Sequence, residues 1–125
     1  MGLFFVWYRR KEYNIIMNKK LKFDPHLISL ILSKEKFATW RLWDDKDLSV
    51  GDVVDFLNSE TKQLFAVAKL TKIIEKRFAD LTQEDKIGHE KYDSPEKMYQ
   101  LFSENYKKPV GPDTLVKVVW YDILT

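Results

Sequence analysis

The sequence predicts an α+β domain in which about five strands form a small mixed β-barrel, with about three short helices beside it. The strands follow one another with few interruptions, several are apolar on both faces, and residues 115–124 return as a further strand. A strand that is apolar on both faces is typical of the middle of a sheet or the wall of a barrel, because both faces are covered there. With 125 residues, 45% of them hydrophobic, the chain can bury one core.

The first predicted elements are a strand, a helix and a second strand. Residues 21–23 form a short strand that ends at Asp24-Pro25. Aspartate is a common N-cap and proline suits the first helical position, so a helix should follow over residues 26–33. Residues 37–43 are rich in aromatic side chains and contain a β-branched threonine, which indicates a strand.

The remaining strands are long and apolar. Residues 53–57 and 63–74 are separated by a polar connection, which predicts a β-hairpin. In the second of these segments both faces carry apolar side chains, as they do in residues 115–124. Apolar side chains on both faces of residues 63–74 indicate a central or barrel strand rather than an edge strand.

Two further helices are predicted between the hairpin and the last strand. Thr82 and Asp85 have the spacing of a capping box, so a short helix should follow them and stop near Gly88. Ser94-Pro95 provides a cap and a first helical residue for the next helix.

Composition excludes several classes of function. The chain has no cysteine, which rules out disulfides and thiolate metal sites and fits a cytoplasmic protein. His26 and His89 have no obvious third ligand near them, so we expect no metal and no cofactor. The 21 basic and 19 acidic side chains give a net charge of +2, unlike a protein that coats nucleic acid. No segment is long and apolar enough for a membrane span, so no membrane partner is expected.

The amino terminus is predicted to lie outside the domain. Residues 1–16 begin with a short apolar run followed by basic residues, and regular patterning starts after Met17. This extension could be an added strand, a segment that docks a partner, or sequence upstream of the natural start. The domain is expected to cover residues 17–125, and its oligomeric state is left open.

The polar side chains best suited to catalysis or ligand binding lie around the predicted second strand. Thr39 and Arg41 share one strand face, and Lys36 precedes them at the corner after the first helix. A lysine can take the proton of a threonine hydroxyl only if its pKa falls, which requires burial or nearby cations such as Lys34 and Arg41. Composition and spacing alone leave open an ordinary charged helix end.

The sequence resembles the ASCH domain family, which has the PUA-like fold. The resemblance rests on Lys36-x-x-Thr39-Trp40-Arg41-Leu42, then Leu48-Ser49-Val50-Gly51-Asp52, then Leu81-Thr82 and Gly88-His89-Glu90. It covers residues 19–124 and implies a β-barrel with flanking helices and a cleft that accepts RNA, a nucleotide or a nucleoside.

The resemblance also implies two uses of this cleft. In the first, the protein binds RNA or a nucleoside, with Lys34, Lys36, Thr39 and Arg41 as polar contacts and Trp43 or Tyr92 stacked on a base. In the alternative, it is an amidohydrolase that deacetylates N4-acetylcytidine. The catalytic residues would then match Lys36, Thr39 and Glu90, with Glu84 as the other candidate glutamate. Whether the protein is an enzyme is left open.

Overall fold

The computed structural model describes residues 18–43 and 46–124. The predicted extension over residues 1–16 lies outside them, so it stays a prediction. Within the described part of the chain, no helix is long and apolar enough to cross a membrane. The elements are β1 (Lys19–Phe23), α1 (Pro25–Leu32), β2 (Ala38–Arg41), β3 (Val53–Asn58), β4 (Leu64–Arg77), α2 (Pro95–Tyr106) and β5 (Leu115–Leu124), with 3-10 turns at Phe78–Asp80 and Glu84–Lys86.

The five strands form one mixed sheet in the order β1-β3-β4-β5-β2. β1 is parallel to β3, and the other neighbours are antiparallel. The sheet curves into a half-barrel, which confirms the predicted α+β, PUA-like architecture. Its edge strands are β1 and β2, and the Arg41 guanidinium lies between them, donating from Nη2 to the Lys22 carbonyl at 3.0 Å.

Two apolar clusters cover the two faces of this sheet. One lies beneath α1 and contains Leu21, Ile31, Phe56, Val119 and Tyr121, among others. The other lies beneath α2. Its buried members are Trp40, Leu42, Phe78, Phe102, Val110, Val116 and Val118. Because β5 contributes to both clusters, its two faces are apolar, as the sequence predicted.

The element ends differ from the predictions in ways that hydrogen bonding explains. β4 continues to Arg77 because each of its last residues pairs with β5. The helix predicted after Thr82 is only a 3-10 turn, although the capping box is present: the Thr82 amide donates to Asp85 Oδ2, and the Asp85 amide donates to Thr82 Oγ1. Ser94 caps α2 by accepting from the Lys97 amide.

Asp24 departs from its predicted role. It occupies the N-cap position of α1, but its side chain makes no capping hydrogen bond. Its carboxylate instead accepts a long hydrogen bond of 3.4 Å from Ser59 Oγ. Pro25 lies at the start of the helix as expected, where its missing N–H leaves no donor unsatisfied.

Candidate functional site

A cleft of about 570 Å³ opens between the two edge strands of the half-barrel. Its walls come from the end of β1, the start of α1, β2, residues 89–92 and the last turns of α2. This volume lies within the range of small-molecule sites. The cleft exists because the sheet does not close: α1 and α2 flank the open edge without filling it.

A buried ion pair lies in the wall of this cleft. The Lys36 side chain is only 3% exposed, and its Nζ lies 2.6 Å from Glu90 Oε1 and 2.7 Å from the Ala38 carbonyl oxygen. Glu90 is 27% exposed, so the carboxylate reaches solvent where the ammonium does not. Burying a charge is costly, and such groups are therefore more frequent at functional sites than elsewhere.

Gly88 brings Glu90 to Lys36 across the fold. Its carbonyl oxygen accepts from both the Phe37 and the Ala38 amides, at 2.9 and 3.1 Å, which attaches the segment before Glu90 to the start of β2. Gly88 has φ +91°, and a Cβ there would lie 2.7 Å from the Phe37 ring. Only glycine combines this backbone conformation with this close approach.

The surroundings shift the pKa values of all three ionisable groups at the pair. Burial lowers the pKa of Lys36 below its usual value, Glu90 opposes the shift and Arg41 adds to it. Burial, with the Lys36 charge, lowers the pKa of His89 to about 4, so its imidazole is neutral at pH 7. Burial acts to raise the pKa of Glu90, but His89 and Lys36 hold it below its usual value. Since His89 is neutral at pH 7, Lys36 is the cation that keeps Glu90 ionised there.

Thr39 and Arg41 lie beside this pair on one face of β2 and line the same cleft. Thr39 is buried opposite Val119, and its hydroxyl oxygen accepts from Arg41 Nε at 3.2 Å. The Arg41 guanidinium also lies over the Phe23 ring, with its carbon 4.7 Å from the centroid. These contacts hold Arg41 with its planar donor group along the wall of the cleft.

Aromatic rings form the other wall. His89 stacks on Trp40 with ring centroids 3.8 Å apart, and Tyr92 lies 5.8 Å from His89. The same three residues border a second cavity of about 700 Å³ on the far side of residues 88–92. Burial raises the pKa of Tyr92, so its hydroxyl stays protonated. The cleft therefore offers both charged groups and flat apolar surface to a ligand.

The structure places the residues proposed from the sequence in two groups. Five of them line the cleft: Lys36, Thr39, Arg41, Glu90 and Tyr92. The other three lie elsewhere. Lys34 is exposed in the turn after α1 with φ +68°, and Glu84 is exposed in a 3-10 turn. Trp43 is half-exposed beneath Lys108, beside a separate cavity that it shares with Arg41.

The sequence predicts no role in the site for two residues of this region. Gly88-His89-Glu90 belongs to the family resemblance, but only Glu90 is expected in the site on that ground. The position of His89 directly before Glu90 is the signal that it would share the same wall. Among the residues described, no group of three or more histidine, aspartate or glutamate side chains could hold a metal ion.

No family model matches the chain, and no curated protein matches its sequence. Solved structures do match. A DUF984 protein from Enterococcus faecalis superposes with a TM-score of 0.71 at 19% identity, over 90% of this chain and 84% of that one. An ASCH domain from Lactobacillus crispatus gives 0.60 at 16% identity, over 78% and 70%. The ASCH protein from Zymomonas mobilis gives 0.56 at 11% identity, over 82% and 65%.

These likenesses define the fold at a broader and at a narrower level. The mixed five-stranded half-barrel with helices on its faces is PUA-like. More narrowly, the chain has an ASCH domain fold, which confirms the resemblance predicted from the sequence at the level of the fold.

Proposed function

We propose that the protein binds a nucleoside or nucleotide, free or within RNA, in the cleft around Lys36, Thr39, Arg41 and Glu90. The observation that carries this proposal is the buried Lys36–Glu90 ion pair at the wall of an open cleft. An ion pair of this kind seldom stabilises a fold more than apolar residues of the same volume, so a role in ligand recognition accounts for it better.

The size and charge of the cleft favour a small ligand over a long RNA. Its basic residues are Lys22, Lys36, Arg41 and Lys91, and its acidic residues are Asp24, Glu90 and Glu104. Tight binding of a nucleic acid backbone needs many cations against phosphates, and it weakens steeply as salt is added. Near-balanced charge beside aromatic rings suits one base with its sugar, and at most one or two phosphates.

Calorimetry with nucleosides, nucleoside monophosphates and a short structured RNA, each at 50 and 200 mM salt, tests this proposal. We expect binding of at least one nucleoside or nucleotide with little dependence on salt. Lys36→Met should abolish it, whereas Lys34→Ala, two residues away but exposed outside the cleft, should leave it unchanged. Failure of every ligand to bind at low salt would refute the proposal.

A second candidate is hydrolysis of an amide on the base, with N4-acetylcytidine as the substrate. It is favoured by the lowered pKa of Lys36 and by the position of Thr39 in the same cleft. A lysine whose pKa is lowered more readily gives up its proton, and its free amine can act as a general base towards a hydroxyl nucleophile. Glu90 orients the Lys36 amine and takes part in returning its proton.

The residues can divide the reaction into two steps. Thr39 Oγ bonds to the acetyl carbon as its proton passes to the Lys36 amine, and Arg41 stabilises the negative charge that develops on the carbonyl oxygen. The C–N bond then breaks, and Lys36 returns the proton to the departing 4-amino group. Water hydrolyses the resulting acetyl-threonine ester, which releases acetate and restores the hydroxyl.

Incubation with N4-acetylcytidine, followed by chromatographic detection of cytidine, tests this second candidate. Thr39→Val and Lys36→Met should each lower turnover by roughly a hundredfold or more, because each removes a partner of the proton transfer. Lys34→Ala is again the matched control. Turnover that survives in Thr39→Val would exclude the hydroxyl as nucleophile, even if the nucleoside binds.

A further inference from the structure

His89 is the buried ionisable group of the cleft that neither proposed function employs. Its side chain is 4% exposed and stacks on Trp40 with centroids 3.8 Å apart. Its Nδ1 lies 2.9 Å from the Glu90 backbone carbonyl oxygen and 3.4 Å from Glu90 Oε1. Both partners are acceptors, so Nδ1 carries the proton of the neutral ring, and Nε2 is left with a free lone pair.

Nε2 is the ring nitrogen of His89 for which residues 18–43 and 46–124 supply no hydrogen-bond partner, whereas Nδ1 is bound to Glu90. His89 lines both the cleft and the second cavity, so a ligand in the cleft lies beside this ring. In the same part of the chain, the one fully enclosed side-chain polar atom without a partner is Trp40 Nε1, so His89 Nε2 is open rather than sealed in the protein. Buried polar groups nearly always have partners, and an open acceptor in such a wall indicates that a ligand or water supplies the donor.

The polar groups nearest to His89 are differently suited to a ligand. Lys36 and Arg41 are donors only. Glu90 is a charged acceptor with Oε1 bound to Lys36, and Thr39 Oγ1 already accepts from Arg41. His89 Nε2 is a neutral acceptor without a partner in this group, and it can receive a ligand N–H. It stays neutral at pH 7 because burial and the Lys36 charge disfavour its protonated form.

We propose that His89 is a specificity-determining residue whose Nε2 accepts a hydrogen bond from the ligand, so that the cleft selects nucleobases with an exocyclic amino or amide N–H. This inference rests on the proposed binding function and names the chemical class of its ligand. A site built to hydrogen-bond such a group rejects the analogue that lacks it, because the acceptor is then left without a partner.

Matched pairs of nucleosides test the selection. Cytidine is compared with the pyrimidin-2-one ribonucleoside, which lacks only the 4-amino group, and adenosine with purine ribonucleoside, which lacks only the 6-amino group. For the base that fits the cleft, calorimetry should give roughly tenfold tighter binding of the amino form by the wild-type protein.

Three variants separate hydrogen bonding from packing. His89→Phe keeps a ring on Trp40 but has no acceptor, and His89→Asn keeps a polar atom near the Nδ1 position while removing Nε2. Both should bind the amino and unsubstituted forms about equally. His89→Gln, which can extend an amide oxygen towards the Nε2 position, should recover part of the preference. If His89→Phe does not fold, the comparison of His89→Asn with His89→Gln still shows whether an acceptor at the Nε2 position sets the preference.

The outcomes distinguish this inference from the function on which it rests. If the wild type binds none of the nucleosides, nucleoside monophosphates and RNA, the proposed function fails; if it binds only monophosphates, the matched pairs are compared as 5′-monophosphates. If the wild type binds both members of a pair equally, or if His89→Asn keeps the full preference, the binding function stands and the role of His89 is wrong. A loss of preference with retained folding in both His89→Phe and His89→Asn supports the inference.

Discussion

The two partners of the buried ion pair should contribute unequally to stability. Removal of the Glu90 charge by Glu90→Gln leaves the Lys36 ammonium in a place where it is only 3% exposed, with the Ala38 carbonyl as its remaining charge-neutral partner. Loss of one partner of a buried pair costs up to 3–5 kcal/mol, and we expect about 3 kcal/mol here. Lys36→Met leaves Glu90 alone, but that carboxylate is 27% exposed and can recruit water, so we expect only about 1–2 kcal/mol.

Urea unfolding at pH 7 measures the loss of unfolding free energy in both single variants, and the double variant completes a double-mutant cycle. Together, Lys36→Met and Glu90→Gln should cost less than the sum of the single changes by about 2 kcal/mol, because neither leaves an unpaired charge when the other is present. Asp113→Asn is the matched control: it breaks a pair with Arg77 that lies in solvent, so no measurable loss is expected.

The pH dependence of Glu90→Gln gives an independent readout. The unfolded lysine holds its proton up to about pH 10.5, while the buried Lys36 releases it at lower pH. The unfolded state then binds more protons, so stability should rise with pH through the window between these two values. Equal losses in the two single variants, or strictly additive losses, would refute the unequal burial on which the reasoning depends.

Three other perturbations test the supporting geometry. In urea unfolding, Gly88→Ala should lower the free energy of unfolding more than Gly51→Ala does, and it should also weaken ligand binding. Both glycines have φ above +90°, but only at Gly88 would the new Cβ meet a ring, at 2.7 Å. The His89 imidazole binds a proton below about pH 6.5 in the unfolded state but only near pH 4 in the folded state. The free energy of unfolding of the wild type should therefore fall as pH decreases through this window, by about 2.5 kcal/mol at pH 4.5. His89→Phe should lack this part of the acid sensitivity. Arg41→Lys should lower ligand affinity roughly tenfold, because an ammonium cannot reproduce the planar donors that reach Thr39 Oγ1 and the Lys22 carbonyl of β1. Calorimetry measures the affinity, and a melting curve of the same variant shows whether the protein is still folded.

The cleft exists because the sheet is a half-barrel that does not close. An antiparallel or mixed sheet removes its edges by closing on itself, and here β1 and β2 remain apart. The Arg41 guanidinium joins the two edges through its bond to the Lys22 carbonyl, and the same residue holds the Thr39 hydroxyl. The group that holds the edges together is therefore also a group of the candidate site, which couples the stability of this region to the arrangement of the cleft.

Local sequence patterns sufficed for most of the elements. The apolar, β-branched and aromatic side chains of residues 115–124 predicted β5 with the bounds it has. The position of Thr39 and Arg41 on one face of β2 follows from the alternation of side chains along a strand. Helix starts at Pro25 and Pro95 follow from the fixed φ and missing N–H of proline. Such patterns act over a few residues, and each can be read without knowledge of the rest of the chain.

The failures have a common cause. The helix predicted after Thr82 stops after one 3-10 turn, because the segment is drawn towards β2 by the hydrogen bonds of the Gly88 carbonyl. Asp24 stands at the N-cap but does not cap, since its side chain turns to Ser59 in the loop after β3. In both cases a contact between distant segments overrides a correct local preference.

By itself, the sequence determined the α+β class, five strands, the faces of β2 and the placement of Lys36 at the corner before Thr39. Only the tertiary structure decided that the barrel stays open, that Lys36 is buried, and that Glu90 lies 2.6 Å from it although 54 positions separate them in the chain. It also decided that His89 stacks on Trp40 with one nitrogen bound and the other open. The physical reason is that alternation and capping are properties of neighbouring residues, whereas burial, pKa and ion pairing depend on which segments the strand register brings together.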